Sequence, residues 1–119
     1  MSQNINLFCY NAGIAAIGVG VTGNLFIRIP TGKDFLLDEI RTTGQLNLYL
    51  SLQTSDGYLF SSNAFNAGCI ANHATSQNPL KFDRPYRIKG GTEITITYNN
   101  LSGGALTFFE IELWGNHAD

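Results

Sequence analysis

The sequence predicts an all-β fold, a two-sheet antiparallel β-sandwich. Three features point to it. Gln45 to Gln53 sets Leu46, Leu48, Leu50 and Leu52 against Asn47, Tyr49, Ser51 and Gln53. That spacing would scatter the leucines around a helix but lines them up on one face of a strand. Glu93 to Tyr98 alternates in the same way, and after a Gly/Asn-rich joint over 99–104, Ala105, Thr107, Phe109, Ile111 and Leu113 share one face. Such a pair of runs reads as an antiparallel hairpin with one buried side. Turn residues punctuate the rest of the chain closely enough that no convincing helix remains.

Taken in order, residues 1–4 are polar and expected to be loose, and Ile5 to Tyr10 reads as a first short strand. Asn11 to Gly23 is uncharged and rich in small residues. Its glycines argue against a helix, at about 1 kcal/mol each relative to Ala, and leave a strand weakly specified in register. It fits an extended arm that borrows order from a neighbour, or an interior strand bulged at its glycines. Asn24 to Ile29 is a strand with Leu25, Ile27 and Ile29 on one face, ended by the turn Pro30-Thr31-Gly32-Lys33. Asp34 to Thr42 has helix-like spacing at Leu36, Leu37 and Ile40. Its setting between turns favours a strand, with Leu36, Asp38 and Ile40 opposite Phe35, Leu37, Glu39 and Arg41. Asp56-Gly57 turns into a short strand, Tyr58 to Phe60. Ser61 to Asn78 is irregular and polar, with Phe65 and Ile70 as anchors, and a loop of that length is expected to be functional or pinned by a partner. Pro79 to Phe82 and Pro85 to Ile88 lead to the terminal strands, and Asn116 to Asp119 is expected to fray. Residues 1–23 therefore read as a strand and small-residue arm, and 24–119 as the sandwich of a single domain. About eight short strands suggest a jelly roll.

Composition narrows the function. Of 119 residues, 44% are hydrophobic and only 13% charged, with 13 glycines. The charged share is about half the usual one, which suits a surface that lies against another protein. A net charge of −2 gives no electrostatic reason to expect nucleic acid as a partner. The basic residues Lys81, Arg84, Arg87 and Lys89 read as a solvated or salt-bridged edge. No apolar run reaches the ~18–20 residues of a membrane span. No basic residue precedes Ile14 to Val21, as a cleavable signal would require. Cys9 and Cys69 read as buried free thiols of a reducing compartment or as one disulfide tying the first strand to the middle loop. Their spacing does not suit zinc.

No constellation spells out a reaction, and no enzyme, metal or cofactor is expected. His73 and His117 lack any paired ligand or base and read as surface histidines. Glu110 and Glu112 share a strand face about 6–7 Å apart, a separation resembling a glycosidase pair, yet they read as a solvated face or as partners of Arg84 and Arg87. Asp56 and Asp83 have no calcium-loop spacing. Ser55 and Ser102 sit in no nucleophile elbow. The Gly90-Gly91 and Gly103-Gly104 pairs serve turns, since no helix follows to hold a phosphate.

The last third has a Pro-Tyr strand entry, a Gly-Gly turn, an alternating strand, an Asn-rich joint and a closing strand ending in Trp114-Gly115. With IPTGKDFLLDEIRTTG and the strand after it, this pattern over residues 24–115 resembles the small jelly-roll virion proteins of tailed bacteriophages. The resemblance implies a head decoration or cement protein, assembled in the host cytoplasm and carried on the virion. It would be a homotrimer bound to the major capsid protein or another virion protein, with no cofactor, nucleic acid or membrane. Ile14, Ile17, Val19, Val21, Phe65, Leu106, Phe108 and Trp114 are the interface candidates. A related reading is a tail, collar or fibre-anchoring protein. The competing class is a carbohydrate-binding module or lectin, with Tyr49, Tyr58, Tyr86 or Trp114 stacking on a sugar ring. A coat-forming capsid protein ranks third.

Overall fold

A computed structural model describes residues 7–43, 47–60, 64–66 and 80–118. The strands are β1 (Leu7–Ile14), β2 (Thr22–Arg28), β3 (Asp34–Thr42), β4 (Leu48–Thr54), β5 (Phe65–Asn66), β6 (Leu80–Ile88), β7 (Glu93–Asn100) and β8 (Phe109–Ala118). The described residues contain no helix. One sheet has the order β1-β8-β3-β6 and the other β2-β7-β4-β5, and they pack face to face. The pairing is nested: β1 with β8, β2 with β7, β3 with β6 and β4 with β5, all antiparallel.

Alternation builds the core. Leu48, Leu50 and Leu52 of β4 and Ile94, Ile96 and Tyr98 of β7 face Phe35, Leu37 and Ile40 of β3 and Phe109, Ile111 and Leu113 of β8. Leu46 lies outside the described residues. Each fully buried Leu or Ile removes apolar surface worth about 1.5–3 kcal/mol.

Strand β3 occupies the expected bounds, but its two faces do not divide as the alternation suggests. A register shift between Leu37 and Glu39 places Phe35, Leu37, Ile40 and Thr42 on the buried side. A bulge at Asp38 therefore accounts for the helix-like spacing: an extra residue changes the phase of a strand midway. Opposite the bulge, residues 82–85 of β6 are unpaired with β3. This is where Pro85 sits, on an edge strand that can spare an N–H. The two segments expected around Pro85 are one strand, β6.

Other expectations are corrected. The terminal runs form no hairpin, because β7 and β8 belong to opposite sheets. Alternation reports one buried face but does not say which sheet a strand joins. Ala105 and Thr107 are exposed in the connection, and the core face of β8 begins at Phe109. Of residues 1–23, the described part comprises β1, the connection 15–21 and the first two residues of β2. Strand β1 runs along β8 through eight consecutive pairs from Leu7↔Asn116 to Ile14↔Phe109, and β2 begins at Thr22. The strand lies at a sheet edge, not in the interior. The C-terminus does not fray over Asn116 to Ala118, which pair with Leu36, Phe35 and Asp34 of β3. Tyr58 to Phe60 is no full strand but runs beside β4 with one bridge, Gln53↔Leu59. Gly115 is needed for close approach, since a Cβ there would collide with the Leu36 carbonyl.

Candidate functional site

Four of the exposed large apolar residues, Val19, Val21, Leu101 and Phe108, lie at the end of the sandwich where β1 stops, β2 starts, β7 stops and β8 starts, while Phe8, Phe26, Tyr58 and Leu59 are exposed elsewhere. Connections 15–21 and 101–108 meet there. Ile17 and Leu106 exchange backbone hydrogen bonds of 2.9 and 2.8 Å, Gly20 N–H donates to Asn100 O (3.0 Å), and Asn100 N–H donates to Val21 O (3.0 Å).

Asn100 is the fastener. Its side chain is 0% exposed. Its Nδ2 donates to the carbonyls of Ile17 (3.2 Å), Gly18 (3.0 Å) and Gly104 (2.9 Å). Its Oδ1 accepts from the N–H and hydroxyl of Ser102 at 3.0 and 2.6 Å. A buried amide so satisfied specifies the path of both loops. Gly20 and Gly103 supply the positive φ their turns need, at 71° and 84°.

The frame leaves large apolar side chains in water. Val19 is 61% exposed, Leu101 55% and Phe108 49%, and Val21 is also exposed. Of the interface candidates, Val19, Val21 and Phe108 are therefore exposed on the two connections at this end. Ile17 is not: it is 1% exposed and belongs to the core. Ile14 and Leu106 are partly buried against that core. The side chain of Phe65 is not described. Leu101 was missed because its polar neighbours Asn99, Asn100 and Ser102 read as a plain turn.

Trp114 stands elsewhere, on the outer face of the β1-β8-β3-β6 sheet. Its indole N–H donates to Glu112 Oε1 at 2.9 Å, the Arg41 guanidinium lies 4.7 Å from its ring centre, and Arg41 pairs with Glu39 at 3.0 Å. Glu110 accepts from the Asn11 amide at 2.8 Å. The Glu110 and Glu112 carboxylates are thus engaged by an amide and an indole, not by Arg84 or Arg87; Arg87 pairs with Asp34 at 2.5 Å. Cys9 lies on the same face, opposite Trp114. Burial, then Glu112 and Glu110, pushes its thiol up to about 11. Cys69 and His73 lie outside the described residues.

At the opposite end, Phe8, Tyr10 and His117 face the turn Pro30 to Lys33 across a cleft of about 520 Å³. His117 is no idle surface histidine. Its ring packs edge-on against Tyr10 and Phe35 and tilted against Phe8, and Nε2 lies 2.6 Å from the Tyr10 hydroxyl. Burial raises the pKa of Tyr10, which keeps that hydroxyl protonated. A second aromatic group, Tyr58 stacked on Tyr86 at 4.6 Å with Phe60 edge-on to both, bridges the two sheets along the β6 side. Among the described residues, no three His, Cys, Asp or Glu converge as metal ligands. No protein-family model matches the chain, and no curated protein matches it either.

Proposed function

We propose that this protein is a non-enzymatic structural component of a tailed-bacteriophage virion, a decoration or cement protein that binds the capsid surface. The observation that carries the reading is the apolar loop end. Val19, Val21 and Leu101 are held in water by a frame whose polar groups satisfy one another through Asn100, and Phe108 is half exposed at the same end. Exposed apolar residues gathered on a rigid frame are the mark of an assembly surface. The nested pairing supports the jelly-roll reading, an architecture common to capsid and lectin domains. The partner is the major capsid protein or another virion protein, and the low charge of the chain suits a surface that spends its life covered. The test is co-sedimentation with capsid shells of the phage that encodes the protein. Wild type should pellet with the shells, and Val19→Asp with Leu101→Asp should stay in the supernatant while still folded. Equal binding by the double variant would overturn the assignment of this end.

A second reading, a carbohydrate-binding module, is favoured by the cleft at the other end. An exposed Phe8 ring beside Tyr10, His117 and Thr31 offers a stacking face with polar groups at its rim, in a volume suited to a small ligand. A glycan array probed with wild type and Phe8→Ala decides it. Binding lost in the variant supports the sugar reading, and an array blank with wild type removes it.

A further inference from the structure

The four sheet edges of this sandwich are not equally protected. Strand β6 carries Lys81, Asp83, Arg84 and Arg87, holds Pro85, and breaks register opposite Asp38. Charge, proline and a bulge are the devices by which an edge avoids pairing with another chain. Strand β5 is only two residues long, and the Tyr58–Tyr86 stack lies across that side. The other side lacks these devices. β1, LFCYNAGI, has no charged residue and no proline, and it keeps register with β8 through all eight residues. β2 beside it has no proline and a single charge, at its last residue, Arg28. Among the described residues β1 pairs with β8 alone, so its second edge presents unpaired backbone groups.

We infer that β1 is a self-association edge: two copies pair antiparallel along β1 and join their β1-β8-β3-β6 sheets into one continuous sheet across a two-fold axis. The inference stands independently of the virion reading. A second copy is the occupant because a two-fold axis perpendicular to the uncharged, proline-free β1 edge sets it antiparallel to its own copy, the geometry in which it pairs best. The side chains at the seam permit it. Cys9, Asn11 and Gly13 project to the outer face and Tyr10, Ala12 and Ile14 to the core side, so no like charges meet between the two β1 strands. Backbone pairing would satisfy alternate N–H and C=O groups now facing water. This predicts a dimer, in contrast to the three-fold assembly that the virion resemblance implies.

Two measurements decide it. Sedimentation equilibrium of the full chain should show a reversible monomer–dimer equilibrium. Hydrogen exchange should show alternate β1 amides protected at high concentration and released on dilution, with β6 amides unchanged. Asn11→Lys places two lysines within about 8 Å of each other across the seam whether it is centred on Tyr10 or Asn11. One such lysine can still pair with Glu110 in the monomer, so the fold is kept. The substitution should weaken the dimer about two- to fivefold, while the control Arg84→Ala on β6 should not. A strict monomer at several hundred micromolar, a trimer, or a dimer whose β1 amides exchange independently of concentration would each overturn the inference.

Discussion

The side-chain amide of Asn100 donates to the backbone carbonyl of Ile17 at 3.2 Å, joining the end of β7 to a loop 83 positions earlier in the chain. The same nitrogen reaches Gly18 and Gly104, so one buried group holds both loops that carry the exposed apolar residues.

Asn100→Ala should therefore destabilise the fold by about 1–3 kcal/mol, the penalty for buried polar groups left without partners. Asn100→Asp should be worse, because it turns a donor among three carbonyls into an acceptor. Urea denaturation of the two variants checks both the size and the order. Equal stability of wild type and Asn100→Ala would show that the loops are ordered by other contacts.

Leu50 is fully buried at the centre of β4. Leu50→Ala should cost about 2–5 kcal/mol, read from the same urea midpoints. A loss below ~0.5 kcal/mol would mean that the leucine face is on the outside.

How much of this was legible in the chain depends on where the information sits. The leucine ladder of β4 and the Ile94–Ile96 face of β7 are local patterns, and both faces are where the alternation puts them. The bounds of β3 were legible too, but its phase was not, because the bulge at Asp38 is stabilised by partners on β6 and β8. The partner of a strand is non-local information. Alternation in 93–98 and 105–113 suits a hairpin and an arch between sheets equally well, and the nested pairing with β2 and β1 decides for the arch. The order of 15–21 comes from Asn100, and that of His117 from Phe8, Tyr10 and Phe35, none of them near in sequence. A proline and four charges within 80–88 were a readable sign of an edge strand.

Two groups give stability a pH dependence of opposite sign. The Gly90 N–H and then Arg87 hold the Asp34 carboxyl below the usual carboxylate range. Its folded pKa is below its unfolded one, so its contribution is complete above about pH 4 and is lost as pH falls through the folded value. Asp34→Asn should flatten the acid limb of a stability–pH curve. Cys9 runs the other way: with its thiol raised from 9.0 to about 11, the folded state favours the protonated form, and that contribution is complete below the unfolded value and is lost as pH rises from there through the folded one. In a Cys69→Ser background at pH 8.5, Cys9 should alkylate with iodoacetamide roughly tenfold more slowly than a free thiol. An ordinary rate would show that β1 leaves its place on β8.

Deleting residues 1–23 should unfold the protein. The deletion removes all of β1, exposing the flank of β8 and the core contacts of Tyr10, Ala12 and Ile14. It removes Ile17, a core residue whose carbonyl is one of the acceptors for Asn100. It also takes the first two residues of β2. The loss of Ile17 at about 1.5–3 kcal/mol and of a part of that for each partly buried side chain, with the broken Asn100 network added, is comparable to the 5–15 kcal/mol margin typical of a domain. Far-ultraviolet dichroism and solubility of the 24–119 fragment measure this directly. A disordered or insoluble fragment is expected. A fragment that keeps a cooperative thermal transition would mean that the sandwich closes without β1, and that the N-terminal segment is an arm after all.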